Sequence, residues 1–442
     1  MFRLDHTVAG MSTSTSAAPR TAAPAPRTGD RRDGAPGSAV NARRRIVSGP
    51  LALVFLAEFS ALTSFYLLLS VAPRYAAAVG AGSSGAGLVT GVLLLGTVAA
   101  ELAAPSLMRR YTSRVLLAAG ALLLGAPALA LLAPGSLGIM VAVSVVRGVG
   151  FGLGTVLSGA LAAALLPPER RGEGLGLFGI VATAPGVVAL PAGVWLAGRY
   201  GIAMVAGLAV ASALIPVAVF PWLPGRADRG RGDARPGRAD GRADGLLAAL
   251  RQRGQRRPFI IFAASTVAAG VVVSFLPLAA GVSGTVAAAG LLAQALTATI
   301  SRWWAGRRGD QRGHASLLVP GLAIASLGML TMVWLAFPAA PATPAAVIVG
   351  MCLFGTGFGI SQNATFAVMI DRMRTSGPGM ASALWNLAYD AGYGAGPAFF
   401  GLFAARTGYP AAFALAGVLM LAALPAARRE RSAAPGQARY GL

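Results

Sequence analysis

The stretch WNLAYDAGYGAGP, Trp385 to Pro397, lies inside an apolar segment, about 380–402, long enough to cross a bilayer as a helix. Asn386 and Asp390 are one helical turn apart and share a face. Tyr389 and Tyr393 form a neighbouring strip. Gly392, Gly394 and Gly396 follow, and residues this small let helices approach closely. A carboxylate in mid-membrane costs about 2.5–3.5 kcal/mol on insertion scales, so Asp390 needs a partner or water. A chain that keeps it there must surround it with helices and give them a polar interior.

The rest of the chain has the means. Of its 442 residues 55% are hydrophobic and only 12% charged, about half the charge of a soluble domain. Apolar segments long enough to span recur at about 46–71, 84–108, 113–133, 137–163, 174–198 and 201–224. A second set follows at about 258–280, 283–304, 315–337, 343–370, 378–404 and 408–428. The predicted fold is all-α: twelve transmembrane helices in two six-helix bundles, 46–224 and 258–428. Between them 225–257 is rich in Arg, Asp and Gly, with GRAD repeated, and is expected to be a flexible cytoplasmic linker. Residues 1–45 and 429–442 are expected to be cytoplasmic tails, the first disordered and without the apolar run of a signal peptide.

Net charge is +22, which raises nucleic acid as a partner, but the arginines lie between the apolar segments. One set of loops carries Arg109, Arg110, Arg114, Arg170, Arg171, Arg307, Arg308, Arg312, Arg372 and Arg374; the other carries Arg74, Arg199 and Arg406. The bias predicts a multi-pass protein of the inner, cytoplasmic membrane with both termini inside, and a lipid bilayer rather than nucleic acid as its neighbour. Lysine is absent, which excludes a P-loop and a Schiff-base site. With Ala, Gly and Arg so frequent, that absence suggests a GC-rich bacterial genome. The single Cys352 and the distant His6 and His314 give no disulfide, metal site or cofactor anchor. No nucleophile–base pair is evident, so no enzyme is expected. The runs GVGFGLG and GTGFGI lie within apolar spans and are expected to pack helices, not to bind nucleotides.

Polarity sorts the segments. The third, sixth, ninth and twelfth are nearly free of hydrogen-bonding side chains and are expected to face lipid. Polar residues on the others predict a central cavity. Glu58, Arg147 and Asp390 fall at similar depth and are candidates for solute and proton binding. The alternative for Glu58 and Arg147 is a structural ion pair. Gln294, Gln362, Asn363 and Asn386 are candidates for solute contact or interhelical hydrogen bonds, and Tyr389 for stacking or packing. Glu101, near a helix end, is expected at a gate. The halves also echo each other, with Arg-x-Gly at Arg199 and again at Arg406, as in transporters built from repeats.

At this point the chain resembles the major facilitator superfamily, in its twelve-helix efflux form, over 46–428. GRRGDQRGH fits the family's loop motif through Gly306, Asp310 and Gly313. In the first copy, PSLMRRYTSR, Arg109 stands where Asp is usual and Thr112 where Gly is usual. VVRGVGFGLG resembles the fourth-helix motif at Arg147, Gly148 and Gly150, and Pro185, Pro191 and Gly193 loosely fit the antiporter motif of the fifth. The resemblance implies two bundles, alternating access, a gate involving Arg109 and Asp310, and coupling to protons or another ion; a monomer is expected. The function expected is proton-coupled export of a small solute; uptake by symport is the alternative, and a non-transporting sensor or scaffold the rival class.

The loop asymmetry generates a test. Tags at Met1 and Leu442 are expected to resist protease added outside intact cells. Cleavage of either tag from outside overturns the orientation.

Overall fold

Each apolar segment forms a helix. In the computed structural model, which describes residues 47–133, 135–166, 171–222, 250–251, 253–279, 281–333, 343–373 and 378–433, twelve long helices follow one another. They are α1 Gly49–Leu69, α2 Gly82–Arg110, α3 Ser113–Gly125, α4 Leu137–Leu165, α5 Arg171–Tyr200, α6 Ile202–Val219, α7 Arg253–Phe275, α8 Gly284–Arg312, α9 Leu318–Thr331, α10 Thr343–Arg372, α11 Pro378–Thr407 and α12 Tyr409–Ala422. A further helix, α13 Leu424–Ala433, ends the described chain. Among the described residues there is no strand. The expected tail 1–45, most of the expected linker 225–257, and residues 434–442 lie outside the described residues. The helices run up and down, so α1 begins at the same end where α2, α8 and α10 finish with their arginines; we call this the basic end.

Three boundaries differ from the sequence reading, each for a local reason. Helix α7 begins at Arg253, inside the stretch expected to be linker. Arg372 Nη1 donates to the Gly254 carbonyl at 2.8 Å and Gln255 Nε2 to that of Met369 at 3.3 Å, tying this first turn to the end of α10. Helix α8 runs past residue 304 to Arg312 and stops only at Gly313, whose φ of 81° suits a residue without a Cβ. After α12 the chain turns into α13, which buries Glu430 between Arg257 and Arg372.

The two halves repeat in three dimensions. Gly148 and Gly152 of α4 sit against α2, where an added Cβ on Gly148 would overlap the Leu93 carbonyl oxygen and one on Gly152 that of Thr97. Gly355 and Gly359 of α10 meet α8 in the same way, at the carbonyls of Gln294 and Ala298. Between them Gly150 faces α3 and Gly357 faces α9. The two glycine runs therefore pack a helix on two sides at once. The Arg-x-Gly echoes end in Gly201 (φ 83°) and Gly408 (φ 80°), each capping the start of the next helix.

Helices α2 and α11 join the halves. Their axes are antiparallel, and the contact is backbone on backbone: Gly87 against Pro397, Gly91 against Gly394 and Ala398, Gly401 against Ser83. Ser83 Oγ donates to the Gly401 carbonyl at 3.0 Å. Gly392 and Gly396 turn to α7, where Thr266 and Val267 leave no room for a side chain. The glycines after Asp390 thus serve two different neighbours.

The outside suits lipid. Leu95, Val188 and Phe399 are exposed, as are Leu122 and Leu129 beside α3, Met204 and Leu208 on α6, and Val418 and Leu419 on α12. Hydroxyls inside the helices mostly donate to the carbonyl one turn back, as Thr97, Thr155 and Thr299 do, so few are left wanting in hydrocarbon.

Gly148→Val and Gly355→Val are expected to abolish a monodisperse peak in detergent gel filtration, because backbone cannot yield to the new atoms. Gly154→Ala, with open space around its Cβ, is expected to stay within about 1 kcal/mol of the parent in thermal unfolding. Equal behaviour of all three variants counts against backbone contact as the packing principle.

Candidate functional site

A cavity of about 730 Å³ lies between the halves, within the range of small-molecule sites. It is walled by α1, α5, α7, α8, α10 and α11, so none of the four helices expected to face lipid contributes to it. Helix α8 supplies its spine. Gln294, Ala298, Arg302, Gly306 and Asp310 recur at helical spacing along one stripe, from mid-helix to the basic end. Gln362 and Asn363 of α10 and Tyr389 and Tyr393 of α11 face them. Toward the other end the α2–α11 seam closes the space, helped by the hydrogen bond of 3.0 Å between the hydroxyls of Thr90 and Ser274.

Within the cavity the polar groups converge on Arg302. The phenols of Tyr66, from α1, and Tyr389, from α11, lie beside its guanidinium and hydrogen-bond each other across the two halves. Gly186 of α5 makes this possible: its missing side chain leaves a surface on which the Tyr66 ring lies. Tyr389 stacks on Tyr393 with centroids 5.4 Å apart. Nearer the mouth, Arg307 lies 4.0 Å over the ring of Trp303. The sequence reading missed Arg302. It falls inside the apolar segment 283–304, two residues from its end, where a lone arginine reads as the edge of a span. A helix continued to Gly313 would have placed it on the stripe of Gln294.

Asp390 is the residue after Tyr389 but turns to another neighbour. It is buried, and its carboxyl hydrogen-bonds that of Glu101 on α2. Two carboxyl groups can share a hydrogen bond only when one of them carries the proton. This contact continues the α2–α11 seam toward the basic end and joins the two halves. Tyr66 lies within electrostatic reach of Asp390, so the cavity and the carboxyl pair are neighbours.

The expectation that Glu58, Arg147 and Asp390 share one cavity needs correction. Glu58 and Arg147 lie within the first half, away from the central space. Glu58 accepts a hydrogen bond from Ser158 Oγ in a small space among α1, α3, α4 and α6. Arg147 is buried and donates to two backbone carbonyls, Leu124 at the end of α3 and Ser64 of α1 at 3.1 Å. These partners differ, so the alternative ion pair of Glu58 with Arg147 is also not what holds them. Asn386 is exposed although Asp390, one turn on, is buried, because the tight contact with α2 begins only beyond it. Trp385 stacks on Phe262 at 4.4 Å and packs.

At the basic end Asp310 is exposed and pairs with His314 Nε2 at 3.3 Å. Arg109 is exposed at the end of α2. Thr112, where the loop motif usually has Gly, keeps extended backbone (φ −73°, ψ 150°) and caps α3 by accepting from the Val115 N–H at 3.5 Å. The first loop therefore has no use for a glycine, whereas Gly313 in the second does.

The sequence pattern of the Major Facilitator Superfamily matches residues 54–397, which takes in α2, α11 up to Pro397 and all the helices between. The chain belongs to this superfamily. Its members are transporters, and this one is a multi-pass membrane transporter. Comparison with curated proteins finds no match. Among solved structures, a mutant of the peptide transporter POT is similar, with TM-score 0.68 and 16% identity, covering 86% of this chain and 95% of that one. A bacterial homolog of the human lysosomal transporter Spinster, in an inward-facing and unoccupied conformation, gives TM-score 0.68 and 14% identity, covering 87% and 96%. The xylose transporter XylE from E. coli gives 0.65 and 14%, covering 89% and 100%. At such identities the likeness concerns the superfamily fold alone.

Arg147→Ala would remove the two buried hydrogen bonds that tie α4 to α3 and α1 and is expected to cost about 2 kcal/mol or more in thermal unfolding. Glu58→Gln can keep its bond to Ser158 and is expected to cost less than about 1 kcal/mol. The reverse order would show that the charge of Glu58, not its hydrogen bond, holds the first half.

Proposed function

We propose that this superfamily member is a proton-coupled secondary transporter that exports a small solute by alternating access. One observation carries the coupling: the carboxyls of Asp390 and Glu101 hydrogen-bond each other across the two halves, a contact that requires a proton on one of them. A proton there favours the arrangement in which α2 and α11 stay together at this level. Its loss sets two like charges against each other and favours separation. The solute cavity is one residue away, at Tyr389. A solute that moves Tyr389 or Tyr66 therefore acts on the carboxyl pair.

With the basic end in the cytoplasm, as the arginines indicate, the cavity faces inward. The direction of export rests on α5, whose Pro185, Pro191 and Gly193 resemble the antiporter motif. Gly193 lies close against the Leu67 carbonyl of α1, and Ser70 Oγ donates to the Leu190 carbonyl at 2.9 Å. Motion of α5 is thereby passed to α1 and Tyr66. The two bundles, 46–224 and 258–428, would rock about the α2–α11 seam, with Arg109 and Asp310 at the inner gate.

In proteoliposomes, Asp390→Asn is expected to lose solute movement driven by a pH gradient, by at least tenfold, while solute exchange at equal pH persists. Gradient-driven flux unchanged in this variant overturns the assignment of Asp390. Flux in which protons and solute move together in the wild type would establish symport instead of exchange.

A further inference from the structure

We propose that the central cavity selects small organic anions, seating an acid group on Arg302 and an apolar, planar body against the neighbouring aromatic rings. The inference rests on the transport reading above and adds the class of solute.

The charge census of the cavity points one way. Its charged lining residues are Arg302, Arg307 and Asp310. Asp310 is already paired with His314, and it lies at the exposed mouth. Arg307 is occupied by the ring of Trp303. Arg302 is deep in the cavity, and among the described residues its polar neighbours are phenols, with no carboxylate paired to it. Asp390, which could have served, is turned to α2 and bonded to Glu101. A half-buried guanidinium without a counter-ion is an incomplete site, because phenols balance none of its charge. A carboxylate or phosphonate would complete it and could accept two parallel N–H bonds, the geometry for which arginine is suited.

A second observation comes from the adjoining helix α10. Asn363 Oδ1 is buried without a hydrogen-bond partner, and its amide lies beside Gly306, one turn from Arg302 on the cavity stripe. The residue lines the cavity, and the Nδ2 group beside Gly306 is a donor for an oxygen elsewhere on the solute. The remaining walls are aromatic: Tyr389 and Tyr393 present stacked rings, and Phe358 and Trp303 also line the space. These surfaces suit a ring. The result is an amphipathic acid. An inorganic anion would leave most of the cavity unfilled, and an organic cation would meet Arg302 with like charge.

Three probes with one body and different heads test this: naphthalene-2-carboxylate, naphthalene-2-carboxamide and 2-naphthylmethylammonium. Equilibrium dialysis against the purified protein in detergent is expected to show the acid bound at least tenfold more tightly than either of the others. Arg302→Gln should bring the acid down to the level of the amide, and Arg302→Lys should retain part of the preference. Gel filtration confirms that each variant is folded, and the lysine variant keeps the test valid if the glutamine variant is not. The inference is overturned if the amide or the cation binds as well as the acid, if the acid does not bind at millimolar concentration, or if the folded variants keep full preference. The outcome is separable from that of the coupling reading. Acid-selective binding with no pH-driven flux sinks the coupling and leaves the site. Flux of the ammonium probe that is pH-driven and lost in Asp390→Asn sinks the anion site and leaves the coupling.

Discussion

Direct contact between helix backbones is the constraint on which this structure depends. In lipid, apolar side chains gain little by leaving one hydrocarbon surface for another, so helices hold together by close fit and by hydrogen bonds. The fit is made where side chains are missing. Gly148 and Gly152 let α4 rest on the carbonyls of α2, and Gly355 and Gly359 do the same for α10 on α8. Gly87, Gly91, Gly394 and Gly401 then join one half to the other. The cavity exists because these contacts fix six helices around a space that no side chain fills.

Fixing the frame decides what each buried charge can do. Arg147 meets carbonyls at the places where α3 gives way to a tighter turn and α1 passes nearby, so its charge is spent on structure. Arg302 has the same side chain nearer the basic end, but the wall opposite it belongs to the other half of the molecule and stands back. Glu58 has a serine within reach; Asp390 has a second carboxyl. Similar groups thus differ in their setting: Arg147 and Glu58 are held within one half, while Arg302 and Asp390 have neighbours across the gap.

Much of the fold was legible. Length and hydropathy locate all twelve helices, and the empty polar record of the third, sixth, ninth and twelfth places them outside the cavity. The runs at Gly148 and Gly355 were readable as packing because they lie inside apolar spans. The site was legible only in part. Gln294, Gln362, Asn363 and Tyr389 line the cavity because polar residues on a helix that lines an aqueous space face that space. Glu58 and Arg147 do not, because depth along a helix says nothing about rotation around it, and a buried charge can be satisfied by carbonyls that no sequence pattern marks. Arg302 escaped notice for a different reason. Hydropathy ends a span where charges begin, whereas hydrogen bonding ends a helix, and in α8 the two limits differ by two turns.

The α2–α11 seam and the basic end are built from different materials. At the seam, glycines meet carbonyls, with the Ser83 and Thr90 hydroxyls as the polar links. At the basic end the contacts involve charged groups: Asp310 with His314 at the exposed mouth, and Glu430 buried between Arg257 and Arg372. A contact of shape is indifferent to dissolved ions, while a contact of exposed charge weakens as counter-ions gather around it. The two ends of the molecule therefore answer to different surroundings. Ionic strength on the side of the arginines reaches the exposed Asp310 at the cavity mouth, and the glycine contacts of the seam offer it nothing to screen.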